Sequence, residues 1–166
     1  HKNLTRLIQA FARLSPRVTS QLVLVGKKDK RFYPSLETLV GRLGLSGRVV
    51  FLDYVKQEDL GGIYSGAELF VFPSLYEGFG LPLLEAMACG LPVISGNRGA
   101  TAEVVGGAGI LVDPRSVKDL AEAVEYVLTT QGVHQDLRER GLERAQQYRW
   151  DRTAKQVSAV IEGISL

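Results

Sequence analysis

Little in this sequence suggests covalent staples, metals or membranes. It has one cysteine, Cys89, which excludes an internal disulfide framework and fits a reducing compartment. Its only two histidines, His1 and His134, lie far apart and have no cysteine partners, so a histidine-cysteine metal cluster is not indicated. No apolar run approaches the length of a membrane span, and the first residues do not resemble a signal peptide. The formal charge of +2 gives no bulk electrostatic case for nucleic acid or an acidic partner. Sequence motifs are absent too. There is no GxxxxGK[ST] loop, no GxGxxG opening the first helix, no DxD pair and no GxSxG elbow.

What is present is an ordinary globular composition. Hydrophobic residues make up 45% and charged residues 23% of the 166 positions. That length suits one domain, spanning 1–166, able to bury a core unaided.

Apolar runs and helical periodicities alternate along the chain. Leu4, Leu7, Ile8, Phe11 and Leu14 repeat at helical spacing, with Asn3 as an N-cap. Gln21–Gly26 reads as a buried strand and Lys27–Arg31 as a basic loop. Leu36–Leu43 reads as a helix, Arg48–Leu52 as a strand, Leu60–Ala67 as a helix and Leu69–Phe72 as a strand. Pro92–Ser95 and Gly109–Val112 are further strands, separated by a polar glycine loop, Gly96–Gly99, and a short helix around Glu103. Val117–Leu128 is strongly amphipathic, and helices over 135–148 and 151–164 complete the chain. Strands apolar on both faces, alternating with helices, predict an α/β fold: a Rossmann-like parallel sheet with helices on both faces. Ligands of such sheets bind outside the carboxyl ends of the strands. The polar and glycine-rich segments 26–31, 53–56, 73–80 and 95–101 all fall at that edge.

The most informative segment is PSLYEGFGLPLLEAMACGLPV, Pro73 to Val93. It predicts a loop that enters a helix at Pro82, with Gly90 just past the helix end. Gly78 and Gly80 let backbone approach a ligand, and free N–H groups at a new helix suit a phosphate. Glu77 and Glu85, with seven residues between them, only accept hydrogen bonds when ionised, so they suit vicinal hydroxyls of a ribose or sugar. Glu85 is expected in the first helical turn, where the helix dipole favours it.

This segment resembles the signature of retaining glycosyltransferases of family 4, which have the GT-B fold. The resemblance extends to HKNLTRLIQAF, LVLVG, RVVFLDYV, LGGIYSGAELFVFPS, GNRGATAEVVGGAGILVDP and the YRW run at Tyr148–Trp150. It departs at Gly96, Thr101-Ala102 and Gly107. It implies that Glu85 holds the ribose and that Glu77, the carboxylate of the catalytic site, contacts the donor sugar. It also implies that the amides of Gly78, Phe79, Gly80 and Leu81 contact that sugar and the diphosphate. Lys2 would contact the diphosphate, and backbone at Tyr54 and Val55 would hold the base. The reaction implied is retaining sugar transfer from a UDP- or GDP-sugar, without metal or cofactor. The chain would supply the donor-binding half, and the acceptor, a glycan or a lipid-linked group, would bind mainly an amino-terminal half. Such an enzyme would be cytoplasmic, with peripheral contact at the inner face of a membrane through that other half. The first, central strand of this half is expected before His1 and so outside the chain. A non-catalytic nucleotide-sugar binding module and a GT-B sugar-nucleotide epimerase are the alternatives.

Overall fold

A computed structural model describes residues 1–163. Five short strands alternate with helices: α1 (Leu4–Phe11), β1 (Leu22–Val25), α2 (Tyr33–Arg42), β2 (Val49–Leu52), α3 (Gln57–Gly66), β3 (Phe70–Phe72), α4 (Leu81–Ala88), β4 (Val93–Gly96), α5 (Ala100–Val105), β5 (Ile110–Val112), α6 (Val117–Thr129), α7 (Val133–Gln146) and α8 (Trp150–Gly163). The expected final helix, 151–164, is present as α8, and its last position lies outside the described residues.

All pairing is parallel, as the alternation predicts. The expected single sheet, however, is found as two: β1 pairs with β2, and β3, β4 and β5 pair in that order. One edge of β1 and one edge of β3 are left without a partner. In the usual doubly wound order the strand between them is the first of the sheet. Among the described residues no strand takes that place, so the two halves cannot pair directly. The expectation that β1 is buried holds only for the face that carries Leu24, since Val23 and Val25, on the other face, are 44% and 43% exposed.

Packing holds the two sheets together where pairing does not. Helix α1 lies against α2 and α6, and its buried face of Leu7, Ile8, Ala10 and Phe11 joins one core with Leu24, Val49, Ile94, Val112, Leu120 and Val124. On the other face of the three-stranded sheet, Phe72 and Val93 pack with Leu83, Ala86 and Met87 of α4 and Val104 and Val105 of α5. Strand β4 is buried along its whole length between these cores. Ser20 and Glu68, at the starts of β1 and β3, share a side-chain hydrogen bond.

Helix boundaries follow local chemistry. Ser116 caps α6 by accepting from the Asp119 amide at 3.1 Å. Arg144 of α7 braces α5 by donating to the carbonyls of Val104 and Glu103 at 3.0 and 2.6 Å. These bonds satisfy carbonyls that a helix end leaves unpaired.

At Gly109 the packing admits no side chain. A Cβ there would lie 2.5 Å from Val93 Cγ2 and 2.7 Å from the Val93 carbonyl oxygen. Backbone of a central strand cannot yield cheaply, so Gly109→Ala is expected to cost about 2–3 kcal/mol by overpacking. Urea denaturation of the variant checks this, and an unchanged midpoint would contradict it.

Candidate functional site

The rim is built from loops that leave the carboxyl ends of the strands. The loop from β3 to α4 carries the two glycines and Glu77. Gly80 has φ 108°, a left-handed conformation suited to glycine. A Cβ at Gly80 would also come within 3.2 Å of Leu83 Cδ1 and 3.3 Å of Thr101 Cγ2. Helix α4 begins at Leu81, so Pro82 sits one position inside it rather than at its first residue. Among the described residues, the N–H groups of Gly78, Phe79, Gly80 and Leu81 donate to no backbone carbonyl. They are therefore free donors at a helix entrance.

Glu77 and Lys2 meet directly. Lys2 Nζ donates to Glu77 Oε1 at 2.6 Å and lies 5.0 Å above the Phe72 ring. The Glu77 side chain is 17% exposed and that of Lys2 49%. Burial opposes the charged form of Glu77. The hydrogen bond from Lys2 and the nearby Ser74 hydroxyl outweigh it and hold the carboxyl below its ordinary pKa. Ser74 Oγ is buried and makes no bond of good geometry, so Lys2 is the stronger partner.

Glu85 is held from a different helix. It is half-buried on α4, and Tyr64 of α3 donates its hydroxyl to Glu85 Oε2 at 3.1 Å. Burial, and then the Glu85 charge, push the Tyr64 pKa far up, so Tyr64 remains a neutral donor. The expectation that Glu85 profits from the first turn of its helix is corrected: it is the fifth residue of α4, and that first turn holds no acid. The dipole effect fades beyond one turn, leaving Tyr64 as the group that orients this carboxylate.

The loop from β4 to α5 packs behind the first one. The single hydroxyl proton of Thr101 is shared between the carbonyls of Gly96 and Arg98, at 3.1 and 2.9 Å from Oγ1. Gly99 passes close to the Glu77 carbonyl, where a Cβ would be 3.8 Å away. Phe79 is partly exposed and meets the Tyr148 ring edge-on at 6.0 Å.

Tyr54 and Val55 stand apart, past the end of β2 in the two-stranded sheet. Tyr54 is 75% exposed, and its amide already donates to Asp53 Oδ1 at 2.8 Å. The structure thus brings Lys2, Glu77 and Gly78–Leu81 together. It sets Glu85 further along α4 and leaves Tyr54 and Val55 at the neighbouring sheet's rim.

Sequence did not single out Tyr64, and it gave Asn3 a different role. Tyr64 reads as one more apolar helix position, although a half-buried tyrosine hydroxyl normally needs a partner. Asn3 reads as an N-cap, yet it makes no side-chain cap bond and adopts φ 60°, ψ 31°. If Tyr64 orients Glu85, Tyr64→Phe should weaken nucleoside diphosphate binding by about fivefold, the worth of one ordinary hydrogen bond. Calorimetry on the full-length protein measures this; equal affinity would remove Tyr64 from the site.

No helix among the described residues is long and apolar enough to cross a membrane. Residues 1–145 match the family model for glycosyl transferases group 1. The chain is 38% identical over 157 residues to O-antigen chain mannosyltransferase B of Escherichia coli, covering 93% of this chain and 41% of that protein. Among solved structures, Anabaena HepE in complex with UDP superposes with a TM-score of 0.90 at 25% identity, over 98% of this chain and 46% of that one. For the fold alone, the C-terminal domain of the group 1 protein LpcC of Francisella tularensis matches with a TM-score of 0.79 at 24% identity, over 88% of this chain and 78% of that one. The chain thus spans about half the length or less of the full-length relatives named here. With its parallel α/β architecture, half of a GT-B fold, and its match over 145 residues, the chain belongs to the glycosyl transferases group 1 family.

Proposed function

We propose that this chain is the donor-binding half of a retaining hexosyltransferase that needs no metal. The observation carrying this reading is the Lys2–Glu77 pair, set at 2.6 Å beside the free amides that open α4. A cation, an acceptor-only carboxylate and unused N–H donors form one surface, which suits a sugar linked to a diphosphate.

The chemistry follows from where charge develops. The bond from the sugar's anomeric carbon to the diphosphate breaks, and a bond from that carbon to the acceptor oxygen forms. The acceptor proton leaves with the nucleoside diphosphate. Lys2 and the amides of Gly78–Leu81 stabilise the negative charge on the departing group, a task often given to a metal. Glu77 accepts from donor-sugar hydroxyls, Glu85 from the ribose, and backbone at Tyr54 and Val55 holds the base. Glu77 is not assigned a nucleophilic role. The complex of HepE with UDP supports a UDP donor, and the mannosyltransferase relative supports a hexosyl group. The acceptor is a glycan or lipid-linked group on the other half.

The test is a donor screen with the full-length protein in excess chelator, using UDP- and GDP-linked glucose and mannose and a panel of acceptors. Transfer that persists in chelator, with retained anomeric configuration by proton NMR, is the expected result. Binding without turnover would leave a non-catalytic module, inverted product would end the retaining assignment, and an isomerised donor would indicate an epimerase.

A further inference from the structure

The residue after Lys2 is the only non-glycine among the described residues with positive φ. Such a conformation is costly for most side chains and least so for asparagine and aspartate. Asn3 uses it to turn its amide inward. Nδ2 donates to the Pro73 carbonyl at 3.0 Å and to the Pro114 carbonyl at 2.6 Å. Oδ1 accepts from Arg6 Nη1 at 2.9 Å. Of the two ends of the Asn3 amide, only the nitrogen, with two protons, can donate to two carbonyls, so the orientation of the side chain is fixed by its partners.

These partners lie on separate parts of the rim. Pro73 opens the β3–α4 loop that carries Glu77, and Pro114 lies in the turn between β5 and α6. On the other side of Lys2, the His1 carbonyl accepts from the Leu75 amide at 2.9 Å. Lys2 is therefore pinned by its neighbours on both sides, and both tethers run to the same loop. Without them, the lysine would sit on a free segment and lose conformational entropy on meeting its ligand.

We propose that Asn3 is a positioning residue, whose amide clamps the segment before α1 onto Pro73 and Pro114 and so sets the Lys2 amine at the diphosphate site. It acts through Lys2 and touches no substrate. This inference rests on the reading of Lys2 and Glu77 as donor ligands. Glycine would tolerate the backbone angle but lose the clamp, whereas alanine would lose both. Asn3→Gly is therefore the informative variant.

The experiment uses the full-length protein with Asn3→Gly, Lys2→Ala and the double variant, titrated with UDP and with GDP by calorimetry. Asn3→Gly should weaken the tighter nucleotide by about fivefold and Lys2→Ala by about tenfold. The double variant should be no weaker than Lys2→Ala within twofold, because a residue acting only through Lys2 has nothing left to position. Wild-type affinity in Asn3→Gly, or losses that multiply in the double variant, would overturn the inference. The Glu77 carboxyl, followed by carbon NMR against pH, gives a readout independent of the donor. In Asn3→Gly its titration should move upward toward that of Lys2→Ala. If neither nucleotide binds, or Lys2→Ala binds normally, the donor-site reading of Lys2 fails, and the Glu77 titration still decides whether Asn3 places the lysine.

Discussion

Replacing Glu85 by alanine in the full-length protein is expected to weaken UDP or GDP binding by about a hundredfold. A carboxylate accepting two ribose hydroxyls makes charge-assisted hydrogen bonds, each worth about 1.5–3 kcal/mol. Losing about 3 kcal/mol corresponds to roughly two decades in Kd. The substitution also strips Tyr64 of its acceptor and leaves a half-buried hydroxyl unpaired. A parallel melt must therefore separate folding from binding. Glu85→Gln keeps the shape and an acceptor oxygen, so it should lie between wild type and alanine. Calorimetry with excess chelator present makes the measurement, and chelator itself should leave wild-type affinity unchanged. Undiminished affinity in Glu85→Ala would falsify the ribose assignment.

How Glu85 is held shows where sequence information stopped. The helix carrying it was legible from Pro82, Gly90 and the apolar run between them. A shift of one residue at the helix start places Glu85 at the fifth position of α4. That shift removes the dipole argument. The group that does orient Glu85 comes from α3, 21 positions earlier, and no periodicity marks such a pairing. The Lys2–Glu77 pair spans 75 positions and is equally invisible to spacing; only the family resemblance brings both residues to one donor. Asn3 illustrates a different limit. Asparagine is favoured both as an N-cap and in the left-handed region, and local sequence does not choose between them. Here the carbonyls of Pro73 and Pro114 decide, and both are set by tertiary structure.

The strands tell a similar story at larger scale. Their apolarity correctly indicated parallel pairing and helices on both faces, because β4 needs cover on each side. It could not indicate which edges meet. Val23 and Val25 are as apolar as the buried strand residues, yet they are exposed among the described residues. The split between β1 and β3 follows from topology, which composition does not encode.

Glu77→Ala should give a phenotype opposite to that of Glu85→Ala. Glu77 is assigned to the donor sugar, and a nucleoside diphosphate lacks that sugar. Affinity for UDP or GDP should stay within about twofold, or improve slightly as Lys2 is released from its partner. The turnover number should fall by about 10²–10³, the usual cost of removing one preorganised polar contact close to the reacting centre. Acid should reproduce the loss only at low pH. The folded Glu77 carboxyl titrates below its ordinary 4.5, because the bond from Lys2 and the nearby Ser74 hydroxyl outweigh the burial that opposes its charge. What the pair contributes to stability is therefore present above the unfolded value and lost as pH falls through the lowered one. Between pH 5 and 8 the group stays ionised, so Glu77 should put no acidic limb on the rate profile near neutrality. Since the lysine is about half exposed, the pair's own share of stability is small. A fall in kcat without a matching fall in Tm would then place the effect in the reaction. Retained kcat with weakened nucleotide binding would instead assign both glutamates to the nucleotide.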